Sequence, residues 1–323
     1  MATTTPAAVR RGGAELPPPG AAPARPSRPR RPDFPVRKAL GIGAFLLPAV
    51  LFVALFTYYP MLVGSQMAFR EWNLWDLTDT PFIGLDNFRT LFADPSFAAV
   101  SWHTVVWVVG SIVPQFLIGF GIALLLWRRF PFRGLYQAVV FFPWAVSGFL
   151  IGILFRWMFN AEFGVVNDLL LKAGLIDSPV PWLADPDLAM ASVIVANVWY
   201  GVTFFAIMIL AALQSVDHEM MEAAALDGAG RVRTLLFIVV PSIRITLGLT
   251  VLLRVIWIFN FPDIIYGMTG GGPGNQTHII TTWMITFTQQ GAYGVASALG
   301  LITMAVLTVF TIFYLLALRE RNS

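Results

Sequence analysis

The sequence predicts an all-α integral membrane protein with about six transmembrane helices, and three observations carry that prediction. Hydrophobic residues make up 57% of the 323-residue chain and charged residues only 12%. A domain bathed in water carries about 25% charged residues because its surface must be solvated, so half that value means that most of this surface faces lipid. The apolar residues are also gathered into stretches long enough to cross a hydrocarbon core, which takes about 20 residues as a helix. Finally, the basic residues collect on one side of those stretches.

Residues 1–38 come first. They hold eight basic residues (Arg10, Arg11, Arg25, Arg28, Arg30, Arg31, Arg37 and Lys38) against Glu15 and Asp33, so this segment is +6 and the rest of the chain −3. A negatively charged body argues against nucleic acid as a partner. Nine of the 22 prolines fall here, with almost no large apolar residue before Phe34. Such a composition cannot bury enough surface to offset its ordering entropy, so a disordered basic tail beside the membrane is expected. The apolar stretch behind it is too long for a signal peptide and lacks a small-residue cleavage site.

Residues 39–323 form the membrane domain. Spans are expected at about 39–69, 102–127, 135–159, 188–213, 245–266 and 295–318, with Pro48, Pro60 and Pro143 interrupting the first and third. Neighbouring helices can satisfy the carbonyls that such prolines free. Sixteen of the 21 Lys/Arg then share one side: the tail, Arg128, Arg129, Arg133, Arg231, Arg233, Arg244, Arg319 and Arg321. The other side has Arg70, Arg89 and Lys172, while Arg156 and Arg254 lie within spans. Both termini are therefore expected in the cytoplasm of a multi-pass cell-membrane protein.

Several chemistries are disfavoured. Cysteine is absent, so thiolate metal sites and cysteine nucleophiles are excluded. The only lysines are Lys38 and Lys172, and neither follows a glycine run of the phosphate-loop kind. His218-Glu219-Met220-Met221-Glu222 lacks the second histidine of a zinc-protease helix. No enzyme activity, cofactor or metal is expected. No proposed span contains Asp or Glu before Asp263, which disfavours a proton-coupled carrier, although backbone carbonyls could still ligate sodium.

The segment 215–241, between the fourth and fifth spans, is the most informative. Ser215 or Asp217 can cap a short helix, with Asp217, Glu219 and Glu222 near its positive end. Ala223 to Leu226 favour helix, Gly228 accepts a left-handed stop, and a second short helix leads through Pro241 into the next span. Glu222-Ala223-Ala224, three residues, Gly228, nine residues, Ile238, one residue and Val240-Pro241 together resemble the EAA loop of ATP-driven (ABC) import permeases. Valine stands here for the usual leucine before the proline, and Val216-Asp217 for the usual Ile-Pro.

The resemblance extends over about 40–320. Phe82-Ile83-Gly84-Leu85-Asp86-Asn87-Phe88, Phe163-Gly164-Val165-Val166-Asn167 and Trp182-Leu183-Ala184-Asp185-Pro186 look like external loops of the carbohydrate permeases of the maltose and glycerol-phosphate type. Thr269-Gly270-Gly271-Gly272-Pro273 and Gly294-Val295-Ala296-Ser297-Ala298 look like the turn and helix start that follow. The resemblance implies an ABC importer type I permease fold. It also implies coupling to a separate ATPase through Glu222, Ala223, Ala224, Asp227 and Gly228, and no ATP hydrolysis on this chain. The implied partners are a second permease, an ATPase dimer, an extracellular solute-binding protein, membrane lipid and a sugar.

The resemblance further implies that solute is held in mid-membrane by Tyr200, Gly201, Phe204 and Phe205 before the elbow, and by Arg254, Trp257, Ile258 and Phe261 after it. Spacings of three and four put each set on one helical face. Aromatic faces suit the C–H-rich sides of sugars, although helix packing would use the same stripe. Arg254 needs a wet cavity or a partner at that depth. Where the family often has Asn-x-Phe-Asp, Asn260-Phe261-Pro262-Asp263 carries an added proline. An ion-coupled secondary transporter and an ABC permease for another small polar solute are the competing readings.

Overall fold

The computed structural model describes residues 36–128 and 130–320, and most of the basic tail, with its expected disorder, lies outside them. The described residues fall into two units, divided between Tyr58 and Tyr59. In the first, α1 (Val36–Val53) runs through Pro48 into a π turn at Ala54–Tyr58. Its side chains from Gly41 to Tyr58 are all exposed, and Phe52 and Phe56 pair with ring centroids 4.7 Å apart.

Among the described residues of the second unit, the regular secondary structure is helical apart from isolated bridges, with loops between the helices. It contains α2 (Tyr59–Met67), α3 (Asp86–Ala93), α4 (Ser96–Trp127), α5 (Arg133–Phe141), α6 (Gly148–Met158) and α7 (Val165–Lys172). These are followed by α8 (Pro186–Leu213), α9 (His218–Leu226), α10 (Arg231–Thr234), α11 (Val240–Phe259), α12 (Asp263–Met268), α13 (Ile280–Gln289) and α14 (Tyr293–Glu320). Among the described residues, five helical stretches are long and apolar enough to cross a bilayer, and a sixth exists if α5 and α6 count together.

That sixth span departs from a simple rod. Pro143 sits in a 3₁₀ turn at Phe142–Ala145, and α5 and α6 meet at 97°. Proline has no N–H for the helical ladder and clashes with the carbonyl four residues back, so the turn tightens and breaks. α6 then crosses α12 at two glycines. A Cβ at Gly152 would lie 2.7 Å from the Ile264 carbonyl oxygen, and one at Gly267 would lie 2.7 Å from that of Phe149. Pro241 is accommodated differently, by a π turn at Leu235–Val239 just before it. Widening the turn relieves the same clash.

The centre of the unit is the pair α4–α8. Gly119 of α4 lets the Phe205 side chain of α8 approach so closely that a Cβ there would lie 2.6 Å from that of Phe205. Close approach through small residues is how helices associate in lipid, where apolar burial alone gives no preference between partners. Two asparagines organise the loops outside this core. Asn87 donates to the carbonyls of Ala68 and Arg70, both at 2.9 Å. Asn167 donates to the Val180 carbonyl at 2.9 Å and accepts from Trp182 Nε1 at 2.8 Å. Pro186 then opens α8, capped by Asp185 accepting from the Asp187 N–H at 2.8 Å.

Candidate functional site

Midway along the bundle, α4, α8 and α11 are joined by a chain of polar side chains in an apolar setting. Arg254 is 1% exposed. Its Nε donates to Gln115 Oε1 at 2.9 Å, Gln115 Nε2 donates to the Asn197 carbonyl at 2.8 Å, and Asn197 Nδ2 donates to Ser111 Oγ at 2.9 Å. Nη2 of Arg254 and Oδ1 of Asn197 are buried without a hydrogen-bond partner. Gly201 makes room for this arrangement, because a Cβ there would coincide with Arg254 Nη2 and the Gln115 amide. Trp107 Nε1 adds a bond of 3.1 Å to the Ile258 carbonyl, tying α4 to α11.

Aromatic rings flank the guanidinium. Its carbon lies 5.5 Å from the Phe204 ring centroid and 5.9 Å from that of Trp257, within cation–π range. Trp144, from the break between α5 and α6, packs 6.0 Å from both rings. Tyr200 and Phe261 stack at 5.5 Å with planes 8° apart. Gly148 lies against the tip of the Phe261 ring, with no room for a Cβ.

Six of the eight residues expected at a solute surface thus meet: Tyr200, Gly201, Phe204, Arg254, Trp257 and Phe261. Trp257 stays 42% exposed. Phe205 and Ile258 turn instead into the packing against α4, both 0% exposed. Asn260 and Pro262 separate α11 from α12, so the added proline ends the helix and Asp263 begins the next. Gln115, Asn197, Ser111 and Trp144 were missed by the sequence reading. A signal was present for the first two, since an amide inside an apolar span needs a partner there.

The elbow takes the form its local sequence dictates. Asp217 caps α9 by accepting from the Glu219 N–H at 2.9 Å. At its other end Gly228 has φ +78°. The Ala229 N–H donates to the Ala224 carbonyl at 2.9 Å and the Gly228 N–H to that of Ala225 at 3.1 Å. This doubly bonded stop needs a left-handed residue, which glycine supplies without strain. Glu222, Ala223 and Asp227 face outward, while Ala224 is buried.

Beyond α12, the segment 269–279 is drawn tight. Thr277 Oγ1 donates to the Gly272 carbonyl at 2.7 Å, and the Ile280 N–H donates to Thr104 Oγ1 of α4 at 2.9 Å. The His278 ring lies over Gly271, with Nδ1 3.1 Å from Thr282 Oγ1. Burial, and then the proximity of His103, holds His278 below the usual imidazole pKa.

The chain resembles known transport proteins throughout this architecture. The family model described as "Binding-protein-dependent transport system inner membrane component" matches residues 115–321. The sulfoquinovosyl glycerol transport system permease protein SmoG of Agrobacterium fabrum is 31% identical, covering 86% of this chain and 90% of that protein. The trehalose/maltose transport system permease protein MalF of Thermococcus litoralis is also 31% identical, over 86% of this chain and 93% of its own. A crystal structure of a bacterial ABC transporter that imports the acidic polysaccharide alginate superposes with a TM-score of 0.78 at 27% identity, covering 89% of this chain and 98% of the other.

Proposed function

The chain belongs to the family of binding-protein-dependent transport system inner membrane components, and we propose that it forms half of a sugar pathway across the membrane, powered by a separate ATPase. The other half is a second permease, and an external binding protein delivers the solute. Both termini lie in the cytoplasm, which the one-sided distribution of basic residues supports. Reporters fused after Asp86, Asp177 and Gln276 are expected to be active outside, and those after Arg133 or Asp227 inactive.

The observation that carries the solute assignment is the aromatic cluster around Arg254. Trp257, 42% exposed, and the half-buried Phe261 offer ring faces to the C–H sides of a sugar. The buried Tyr200 and Phe204 back them, and the buried Arg254, with Nη2 free of a partner among the described residues, supplies one guanidinium for hydroxyls or a single carboxylate. Sites for phosphate esters gather several cationic donors or helix N-termini, so a phosphorylated sugar is a poor match. The likeness to an importer of an acidic polysaccharide supports a carbohydrate as the solute.

The test is uptake into vesicles by the full complex. Wild type should need ATP and transport the parent sugar, with Arg254→Gln and Trp257→Ala losing sugar-stimulated ATP hydrolysis. Preference for the sugar phosphate overturns the solute class, and uptake driven by an ion gradient without the ATPase overturns the mechanism. For the elbow, the outward residues Glu222, Ala223 and Asp227, with the turn at Gly228, transmit ATPase closure to α8 and α11. Gly228→Val forces a β-branched residue into the left-handed region at a cost of about 1–2 kcal/mol. It should abolish coupling while leaving membrane insertion normal.

A further inference from the structure

A cavity of about 410 Å³ lies between the end of α4 and the inner face of the elbow. Its walls include Leu124, Trp127, Leu235 and Val239, with Arg128 and Arg231 also on its lining and no carboxylate. Both arginines are exposed. Among the described residues the ion pairs are Arg89–Asp86 and Lys172–Asp168, neither of which involves these two. The cavity thus joins an apolar trough to two guanidiniums with no anion to meet them.

From this we infer that the cavity binds one anionic phospholipid, its phosphate between Arg128 and Arg231 and an acyl chain along the trough. Three features favour lipid over a protein segment. Trp127 and Arg128 end an apolar span, where indole and guanidinium sit at headgroup level. Leu236 and Phe237, next along the chain, are 55% and 73% exposed and continue the apolar surface. Met221 and Ala225 line the cavity, whereas the exposed Glu222, Ala223 and Asp227, where the ATPase is proposed to dock, do not. Because Arg128 directly follows α4 and Arg231 opens α10, a bound phosphate would brace the elbow against the bundle. This inference rests on the proposed function only for placing the cavity at the inner leaflet.

The complex, purified in detergent, is titrated with phosphatidylglycerol and with phosphatidylcholine, and bound lipids are counted by native mass spectrometry without ATP or solute. The readout is therefore independent of whether the transport reading is right. One phosphatidylglycerol is expected to bind in preference to phosphatidylcholine. A basic residue near the surface contributes roughly a fivefold gain, so Arg128→Gln/Arg231→Gln should weaken binding roughly thirtyfold. Ala229→Leu, which fills the trough and leaves both charges, should also lose the lipid, while Arg319→Gln, outside the cavity, should keep it. Equal binding of the two lipids, unchanged binding in the double variant, or an equal loss in Arg319→Gln overturns the assignment. So does a lipid that binds only after the ATPase is stripped away, since the cavity would then be part of the subunit contact.

Discussion

α8 and α14 are both 28-residue helices, and both are apolar enough to span a membrane. Yet 67% of the most apolar window of α8 is buried within the chain, against 6% for α14. The two differ in what lies between their large side chains. α8 presents Ala189, Ser192, Ala196, Asn197, Gly201 and Thr203 inward, all buried. α14 buries Ala296, Ala298, Leu299 and Thr303 near its start, then exposes Val306, Val309, Ile312, Phe313 and Leu316. Hydropathy brings both helices into lipid, but lipid solvates leucine as well as another helix does. Small residues that admit a neighbouring backbone, and amides that need a partner, decide which helix becomes central.

The sharpest way to break this contrast is to add volume at Gly201. Gly201→Leu places carbon where Arg254 Nη2 and the Gln115 amide now lie. Because it displaces a buried charge as well as overpacking the core, it should cost about 3 kcal/mol or more. A detergent melt followed by size exclusion should show the folded peak lost or strongly shifted. A near-normal melt would mean that α8 owes its central place to something other than close approach.

Next in size is Gln115→Met, which keeps the volume but leaves Arg254 Nε unpaired and removes the extra bond to the Asn197 carbonyl. Unsatisfied buried partners cost about 1–3 kcal/mol, and the melt should fall accordingly. Arg254→Met added to this change should cost less than the two separately, because both remove the same Arg254–Gln115 bond. Additive losses would show that the bonds act independently.

On α14 the effects should be smaller. Tyr314 donates to the Gly248 carbonyl of α11 at 3.0 Å, so Tyr314→Phe should cost about 0.5–1.5 kcal/mol. At Gly300 an added Cβ meets only Met284 Sδ, at 3.5 Å, an ordinary contact. Gly300→Ala should therefore fall within about 0.5 kcal/mol of wild type. A large loss there would erase the distinction between the two helices.

The mildest expected effect is one of pH, at the loop that seats α13. His278 is held neutral by burial, so its folded pKa lies below the unfolded value of about 6.5. The unfolded loop then binds more protons, and loop stability should be full above about pH 6.5 and decline below it. Protection against hydrogen exchange across 269–279, corrected for the intrinsic pH dependence of exchange, should fall in acid in wild type and change less in His278→Gln.

Much of this molecule was legible because it is written locally. Each apolar stretch reports its own transfer into lipid, and each proline and glycine its own backbone limits. The elbow is the clearest case: Asp217 caps and Gly228 stops, within a dozen residues and with no help from elsewhere. Pro143 likewise announced a break in the third span. The size of that break, 97°, was decided by α6 crossing α12 at Gly152 and Gly267, more than a hundred residues apart in sequence.

The candidate solute surface divides in the same way. Its aromatic residues and Arg254 stood out by helical spacing and by the cost of a charge in lipid. Which of them face one another did not, since Phe205 and Ile258 share those stripes and yet pack on α4. Sequence by itself determined the helices, their entry into the membrane and the form of the elbow, all of which follow from composition and short-range backbone chemistry. Only the tertiary structure decided that Gln115 would hold Arg254 across 139 residues, because a buried polar group takes its partner from whichever helix packs closely enough to offer one.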